Sequence, residues 1–167
     1  MDIIFDVIST RTFWRILLFI HFVLSLALLA AVTLQTVAVL TPVRQVAGSG
    51  NFIARLRPVP AASYAAAVVI LYVPTFLMGA WVYAKYRTYV RIPMEQLGQW
   101  WIVGAFDFKE HVVAMGIAVL PAYWYFWQQP SEEHATVRKW VTVFLAFTVW
   151  YAYLGGHVAN DFRGVGS

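Results

Sequence analysis

The chain has 167 residues, of which 61% are hydrophobic and 12% are charged, and its formal net charge is +4. A soluble domain is about 45–50% apolar and about 25% charged, so this composition excludes an ordinary soluble enzyme and a disordered tail. The chain has no cysteine, which excludes disulfides, cysteine-bound zinc, iron–sulfur clusters and covalently attached c-type haem. Because the basic residues fall beside apolar runs, as they do at membrane flanks, we expect no nucleic-acid partner.

Four apolar segments follow one another along the chain, and each is long enough to cross ~30 Å of hydrocarbon as an α-helix. The sequence predicts spans over residues 13–40, 61–83, 104–127 and 139–158. The first segment is far longer than the apolar core of a signal peptide, so we expect it to remain as a membrane anchor. Since backbone groups in lipid must bond within each segment, we expect an all-α fold. Residues 1–167 would form a single membrane domain, a four-transmembrane-helix bundle in contact with the lipid bilayer.

The basic residues that flank the spans indicate an orientation. We define side A as the side of the N-terminus, and side B as the opposite side; side A carries seven Lys or Arg residues and side B carries five. The side-A residues are Arg11, Arg15, Lys85, Arg87, Arg91, Lys109 and Arg163. The side-B residues are Arg44, Arg55, Arg57, Arg138 and Lys139. Because cytoplasmic loops carry the excess of positive charge, we expect a bacterial inner (cytoplasmic) membrane protein whose N-terminus is in the cytoplasm.

Ionisable side chains inside the predicted spans are the functional candidates, because such groups are costly in a membrane. They are His21, Asp107, Glu110, His111 and His157. At 1.5 Å of rise per residue, His21 lies about 12 Å and His111 about 10 Å from side A, and His157 lies near the same end of the fourth span. Histidines from three different helices therefore fall in the side-A half of the bundle. The alternative is that each histidine simply hydrogen-bonds a neighbouring helix.

Three kinds of site are compatible with these residues. The first is haem b, whose iron is bound by two imidazoles from facing helices, with Arg15 and Lys109 as partners of the propionates. The second is a zinc, copper or di-iron site formed by the three histidines with a carboxylate. The third is a quinone or proton site, in which a carboxylate beside a histidine supports proton-coupled transfer.

Two short motifs carry a resemblance to a known group of proteins. Phe19-Ile20-His21-Phe22 lies early in the first span, and Lys109-Glu110-His111 lies early in the third. This order resembles the small four-helix haem-binding membrane proteins, among them the membrane protoporphyrinogen oxidase family, copper-resistance-type membrane domains and b-type cytochrome subunits. The resemblance covers most of the chain in topology but only these residues in motif. It implies that His21 is a haem ligand, with Lys109 or His111 at the later-helix position, whereas His157 is not part of the pattern.

We therefore predict a membrane haem b-binding electron-transfer protein that is a small subunit of a larger redox complex. Its partners would be other membrane or redox subunits, and any activity of its own would be that of a membrane haem oxidoreductase. The predicted iron ligands are His21 and His111, with His157 as the alternative, and Arg15 and Lys109 would bind the propionates. A quinone is a further candidate cofactor. The competing hypotheses are a cofactor-free accessory or structural subunit and a membrane protein that handles metal ions or protons.

Overall fold

The computed structural model of the protein describes residues 9–41, 61–129 and 131–164, with side chains up to residue 158. Within these ranges 95% of the residues are helical and no strand is present, which confirms the all-α prediction for this part of the chain. The helices are α1 (Thr10–Leu40), α2 (Ala61–Tyr86), α3 (Ile92–Gln96), α4 (Trp100–Gln128) and α5 (Ala135–Gly164). A π-helical turn, Arg87–Arg91, joins α2 to α3, and a 3₁₀ turn, Glu132–His134, precedes α5. Each predicted span lies inside one of the four long helices, which extend beyond it.

Local chemistry explains where several of these helices begin and end. Ser9 caps α1, because its hydroxyl accepts a hydrogen bond from the backbone N–H of Thr12 at 3.3 Å. Gly98 separates α3 from α4 with a φ of 70°, a conformation that glycine adopts without steric cost. Pro74 and Pro121 lie inside α2 and α4 without ending them, as happens in membrane helices, where neighbouring groups satisfy the freed backbone atoms.

The four long helices form an antiparallel bundle in which α1 and α4 each pack against both α2 and α5. Contacts along the helices fix their directions. The Phe13 ring, at the start of α1, lies 6.0 Å from the Trp81 ring near the end of α2. Trp150 of α5 donates a hydrogen bond to the hydroxyl of Thr33, in the second half of α1, at 3.0 Å. The start of α1, the end of α2, the start of α4 and the end of α5 therefore meet at side A.

The closely packed core occupies the middle and the side-B half of the bundle. Buried residues from all four long helices meet there. They are Leu28, Leu29, Ala31, Val32, Ala65, Val68, Tyr72, Leu120, Tyr123, Leu145, Ala146 and Val149. Gln35 is completely buried beside them, yet its amide donates to the Ala61 carbonyl at 3.1 Å and accepts from the Tyr123 hydroxyl. The polar groups of this half thus bind one another, as buried polar groups must.

Three helical segments are long and apolar enough to cross a membrane: Thr10–Leu40, Ala61–Gln96 and Glu132–Val158. These segments indicate an integral membrane protein. Their outward-facing side chains include many large hydrophobic residues, such as Phe19, Ile70, Leu77 and Trp140, so the bundle would contact lipid along its sides. Helix α4 is not among the three segments, because its first turns carry Asp107, Lys109, Glu110 and His111. That α4 also crosses the membrane, as the sequence predicts, stays a prediction.

Candidate functional site

A cavity of about 640 Å³ opens between the four long helices in the side-A half of the bundle. Its volume falls within the range of about 300–1,000 Å³ that is usual for small-molecule and cofactor sites. Most of its wall is apolar, and much of that wall is aromatic. The aromatic residues that line it are Phe19, Phe22, Tyr72, Phe76, Tyr86, Phe106 and Tyr153. The ionisable groups that line it, apart from the tyrosines, are His21, Lys85, Lys109, Glu110 and His157.

Helical periodicity explains which residues reach the cavity. On α4 the lining residues are Phe106, Lys109, Glu110, Val113 and Ala114, and on α5 they are Val149, Ala152, Tyr153, Gly156 and His157. Both sets are spaced three and four residues apart, the spacing that places side chains on one face of a helix. His21 lies on an equivalent stripe of α1, between Leu18 and Ser25. The cavity is therefore bounded by one continuous face from each of these helices.

The His21 imidazole packs against α2 at Gly79. A Cβ atom at position 79 would come within 3.2 Å of His21 Cε1, which is closer than side chains normally pack, so glycine makes room for the ring. Its Nδ1 atom is buried and has no hydrogen-bond partner among the described residues. Because buried polar atoms are nearly always paired, an unpartnered nitrogen at this position is unusual.

His157 reaches the same cavity from the last turns of α5. Its ring lies 6.0 Å from the ring of Phe22 on α1, at an interplanar angle of 89°. It also lies 4.7 Å from the ring of Tyr153, one helical turn earlier on α5. Since α1 and α5 are neighbours, the structure brings His21 and His157 to one cavity from adjacent helices.

Two lysines add positive charge to the cavity wall. The side chain of Lys109 is only 15% exposed, and its Nζ lies 3.2 Å from Glu110 Oε1 and 4.2 Å from the centre of the Phe106 ring. A Cβ at Gly155 would lie 3.8 Å from the Lys109 stem, so α5 packs directly against it. Lys85 Nζ lies 5.3 Å from the centre of the Trp14 ring. Both ammonium groups belong to the side-A ends of their helices.

Tyr86 and Phe106 connect α2 to α4 at this end of the cavity. Their rings stack with centroids 3.5 Å apart and an interplanar angle of 11°. The Tyr86 hydroxyl is the second of the two buried side-chain polar atoms without a hydrogen-bond partner in the described part of the chain. Beyond this stack, Arg91 binds both Glu95 at 2.7 Å and Asp107 at 3.0 Å, which ties α3 to α4.

Two residues predicted for the haem site lie elsewhere. His111 is exposed on α4 and does not line the cavity, and its Nδ1 lies 2.7 Å from the backbone oxygen of Asp107 in its own helix. Arg15 is also exposed and does not line the cavity. Of the predicted residues, the structure therefore brings together His21, His157 and Lys109, but not the pair His21 and His111.

Sequence reasoning missed Gly79, Tyr86 and Phe106. The pair Gly79-Ala80, between the bulky Met78 and Trp81 in the second half of α2, was a usable signal, since small residues mark close approach in membrane helices. Phe106 was also detectable, because it lies three residues before Lys109 and thus on the same face. Nothing in the sequence distinguishes Tyr86 from the neighbouring tyrosines at the side-A end of α2.

The structure gives no support to a metal site with three or more protein ligands. Within residues 9–41, 61–129 and 131–158, no group of three or more His, Asp or Glu side chains is placed to hold a metal ion. Comparison with models of known families, with curated proteins and with solved structures finds no match. The cavity and its lining residues are therefore the features from which a function can be inferred.

Proposed function

We propose that the protein binds one haem b in the side-A cavity and transfers electrons in the membrane as a small subunit of a larger redox complex. One observation carries this proposal: His21 and His157, from neighbouring helices, line a single, largely apolar cavity together with two lysines. An apolar space with two imidazoles suits a macrocycle whose iron takes two axial ligands.

The lining residues fit such a group. His21 and His157 would hold the iron, and Lys85 and Lys109 would pair with the propionates, since ammonium–carboxylate hydrogen bonds are strong in a low-dielectric site. The Nδ1 of His21 is a buried polar atom without a partner among the described residues, and the absence of a side chain at Gly79 makes room for the ring. Haem, when bound, would supply one-electron chemistry through its ferric and ferrous states.

The chain's own residues would control the environment of the group. Phe19, Phe22 and Phe76 line the cavity, and apolar side chains of this kind exclude water. A dry environment disfavours added charge and so affects the reduction potential. The close packing at Gly79 limits the movement of the His21 ring. The Lys109 ammonium lines the same cavity, so it would act electrostatically on a group bound there.

An optical spectrum tests the proposal. The protein would be expressed with haem supplied, purified in detergent and measured as a reduced-minus-oxidised difference spectrum. We expect a b-type α band and one haem per chain by the pyridine haemochrome assay. His157→Ala should convert the six-coordinate spectrum to a five-coordinate one, whereas the matched variant His111→Ala should leave it unchanged. Absence of any α band in the wild-type protein would overturn the proposal.

A quinone is the second candidate occupant. The two unpartnered polar atoms, His21 Nδ1 and Tyr86 Oη, can each carry a proton and could donate hydrogen bonds to the two carbonyl oxygens of a quinone. Solvent extraction of the purified protein, followed by mass spectrometry, would reveal a stoichiometric quinone. Such a result without an α band would favour this candidate over haem.

A further inference from the structure

The residues of α1 that line the cavity cover nearly half of that helix's circumference. At about 100° per residue, Phe19 lies about 160° around the helix axis from His21, yet both residues line the cavity. Leu18, Phe22 and Ser25, which also line it, lie between these two directions. The cavity therefore follows α1 from the interior of the bundle around to the outer surface of the helix.

The neighbour on that side of α1 is α5. His21 contacts α2 at Gly79, whereas the ring of Phe22 lies 6.0 Å from that of His157 on α5. Phe19, one turn before Phe22, is 67% exposed, and His157 is exposed as well. Residues that line a cavity and also lie on the outer surface mark a gap in its wall. The gap in this wall lies between α1 and α5.

This opening lies along the helices rather than at their ends. Toward side B it stops where Trp150 of α5 donates a hydrogen bond to Thr33 of α1 at 3.0 Å. Toward side A, nine residues of α1 precede Phe19 and seven residues of α5 follow His157, which corresponds to about 10–14 Å of helix. In a bilayer the opening would therefore lie at the level of the lipid chains.

The outer surface beside the opening is apolar. Exposed large hydrophobic residues flank it on both helices: Val23 and Leu26 on α1, and Leu154 and Val158 on α5. Surface of this kind is what a membrane helix presents to lipid. A molecule that enters here must already be dissolved in the bilayer, which requires a ligand that is lipophilic over most of its surface.

We propose that the side-A cavity takes up its ligand laterally from the bilayer, through the opening between α1 and α5 that Phe19, Phe22 and His157 frame. The inference rests on the proposed function for the identity of the ligand. It deepens that function, because it assigns the ligand to the lipophilic molecules that partition into membranes and specifies where they enter. Since the rings of Phe22 and His157 meet across the two helices, a flat ligand passes when one of them turns aside.

The first test examines the opening without haem. Because the chain has no cysteine, an introduced cysteine carries the only thiol label. Ser25 lines the cavity, and its hydroxyl donates only to the His21 carbonyl of its own helix, so Ser25→Cys is a small change. A bimane label there should lose fluorescence several-fold in vesicles of chain-brominated phosphatidylcholine compared with unbrominated vesicles. The control is Ile70→Cys, which is 69% exposed on α2 and outside the cavity wall, and its label should be quenched as a lipid-facing position.

The second test measures the route of haem. Phe19→Cys would be reconstituted in vesicles without haem, and uptake from haem-loaded vesicles would be followed by the growth of the α band. A bulky maleimide on this cysteine should slow uptake about tenfold or more relative to the unlabelled variant, because it fills the opening and the ligand must wait for it to move. The same label on Ile70→Cys should leave the rate unchanged.

The outcomes separate the two proposals. If brominated lipid quenches the Ile70→Cys label but not the Ser25→Cys label, or if labelled and unlabelled Phe19→Cys take up haem at the same rate, the lateral route is wrong and the haem proposal survives. If the wild-type protein binds no haem although the Ser25→Cys label is quenched, the proposed function fails and the opening to the bilayer stands. Should Phe19→Cys not fold, the quenching of the Ser25→Cys label still decides the inference.

Discussion

The two halves of the bundle treat polar side chains in opposite ways. In the side-B half, Gln35 and Tyr123 bind each other, and Trp127 donates to the Thr142 hydroxyl at 3.1 Å. In the side-A half, His21 and Tyr86 each present a buried polar atom with no partner in the described chain. The same four long helices form both halves. A polar residue in a membrane helix is therefore informative about function only once its partner, or the lack of one, is known.

We expect the largest effect from removing the His21 imidazole in the side-A half. His21→Ala should abolish haem binding, with loss of the α band, because it deletes a proposed axial ligand while the side-B core stays intact. Thermal unfolding in detergent should show a folded protein. His111→Ala is the control on the exposed face of α4, and it should retain the full band. If the His21→Ala protein kept the wild-type spectrum, the proposed functional difference between the two halves would be wrong.

A steric substitution in the middle of the bundle should have the largest effect on stability. A Cβ at Gly116 would overlap the Tyr72 hydroxyl and press on the Thr148 side chain. Gly116→Ala should displace Tyr72 and break its hydrogen bond to the Val113 carbonyl, with a cost of about 3 kcal/mol in the free energy of unfolding. Gly104→Ala on the same helix, where a Cβ meets nothing within 4 Å, should be nearly neutral. Equal stabilities of the two variants would contradict this packing.

The buried hydrogen bonds of the side-B half should affect stability but not the ligand. Gln35→Leu leaves the Tyr123 hydroxyl and the Ala61 carbonyl without their present partner. Interhelical hydrogen bonds in membrane proteins contribute about 0.6–2 kcal/mol, so we expect a destabilisation of about that size by denaturant titration. Haem content per folded chain should stay constant. A marked loss of haem would mean that the two halves are coupled, which would weaken the comparison.

The smallest effect is expected where the helix backbone meets the proposed ligand site. Gly79→Ala places a methyl group 3.2 Å from His21 Cε1, so the ring must shift by a few tenths of an ångström. We expect a small change in the haem spectrum and a few-fold weaker affinity, measured by optical titration. Gly104→Ala on α4, which does not line the cavity and where a Cβ meets nothing within 4 Å, is the control. An unchanged Gly79→Ala spectrum would show that the His21 ring tolerates the shift.

The helical segments were predictable from the sequence because hydropathy fixes them directly. The predicted boundaries fell short at several ends: α2 continues past residue 83 through a π-helical turn, and α4 begins at Trp100 rather than at residue 104. These extensions lie outside the strongly apolar runs, where hydropathy carries no signal. The break between α3 and α4 lies at Gly98.

The sequence predicts how far along each helix the candidate residues lie, but not the direction in which each side chain points. Counting residues places His21, His111 and His157 in the side-A half, since rise per residue is constant. It does not show which way each residue faces, because packing sets the rotation of a helix. Glu110 lines the cavity and His111 does not, as expected when adjacent residues on a helix differ by about 100°. The spacing of Phe106, Lys109 and Glu110 on one face contained that information.

If the cavity holds a redox centre, the packed half of the bundle would restrict the direction of electron flow. The cavity is lined by α1 residues as far as Leu28, so residues 29–40 of that helix, about 18 Å in length, lie beyond it toward side B. Dense side chains over that thickness would act as an insulating layer. A redox centre in the cavity would then exchange electrons with donors and acceptors on one surface of the bilayer alone, and charge would not cross the membrane without a second centre in another subunit.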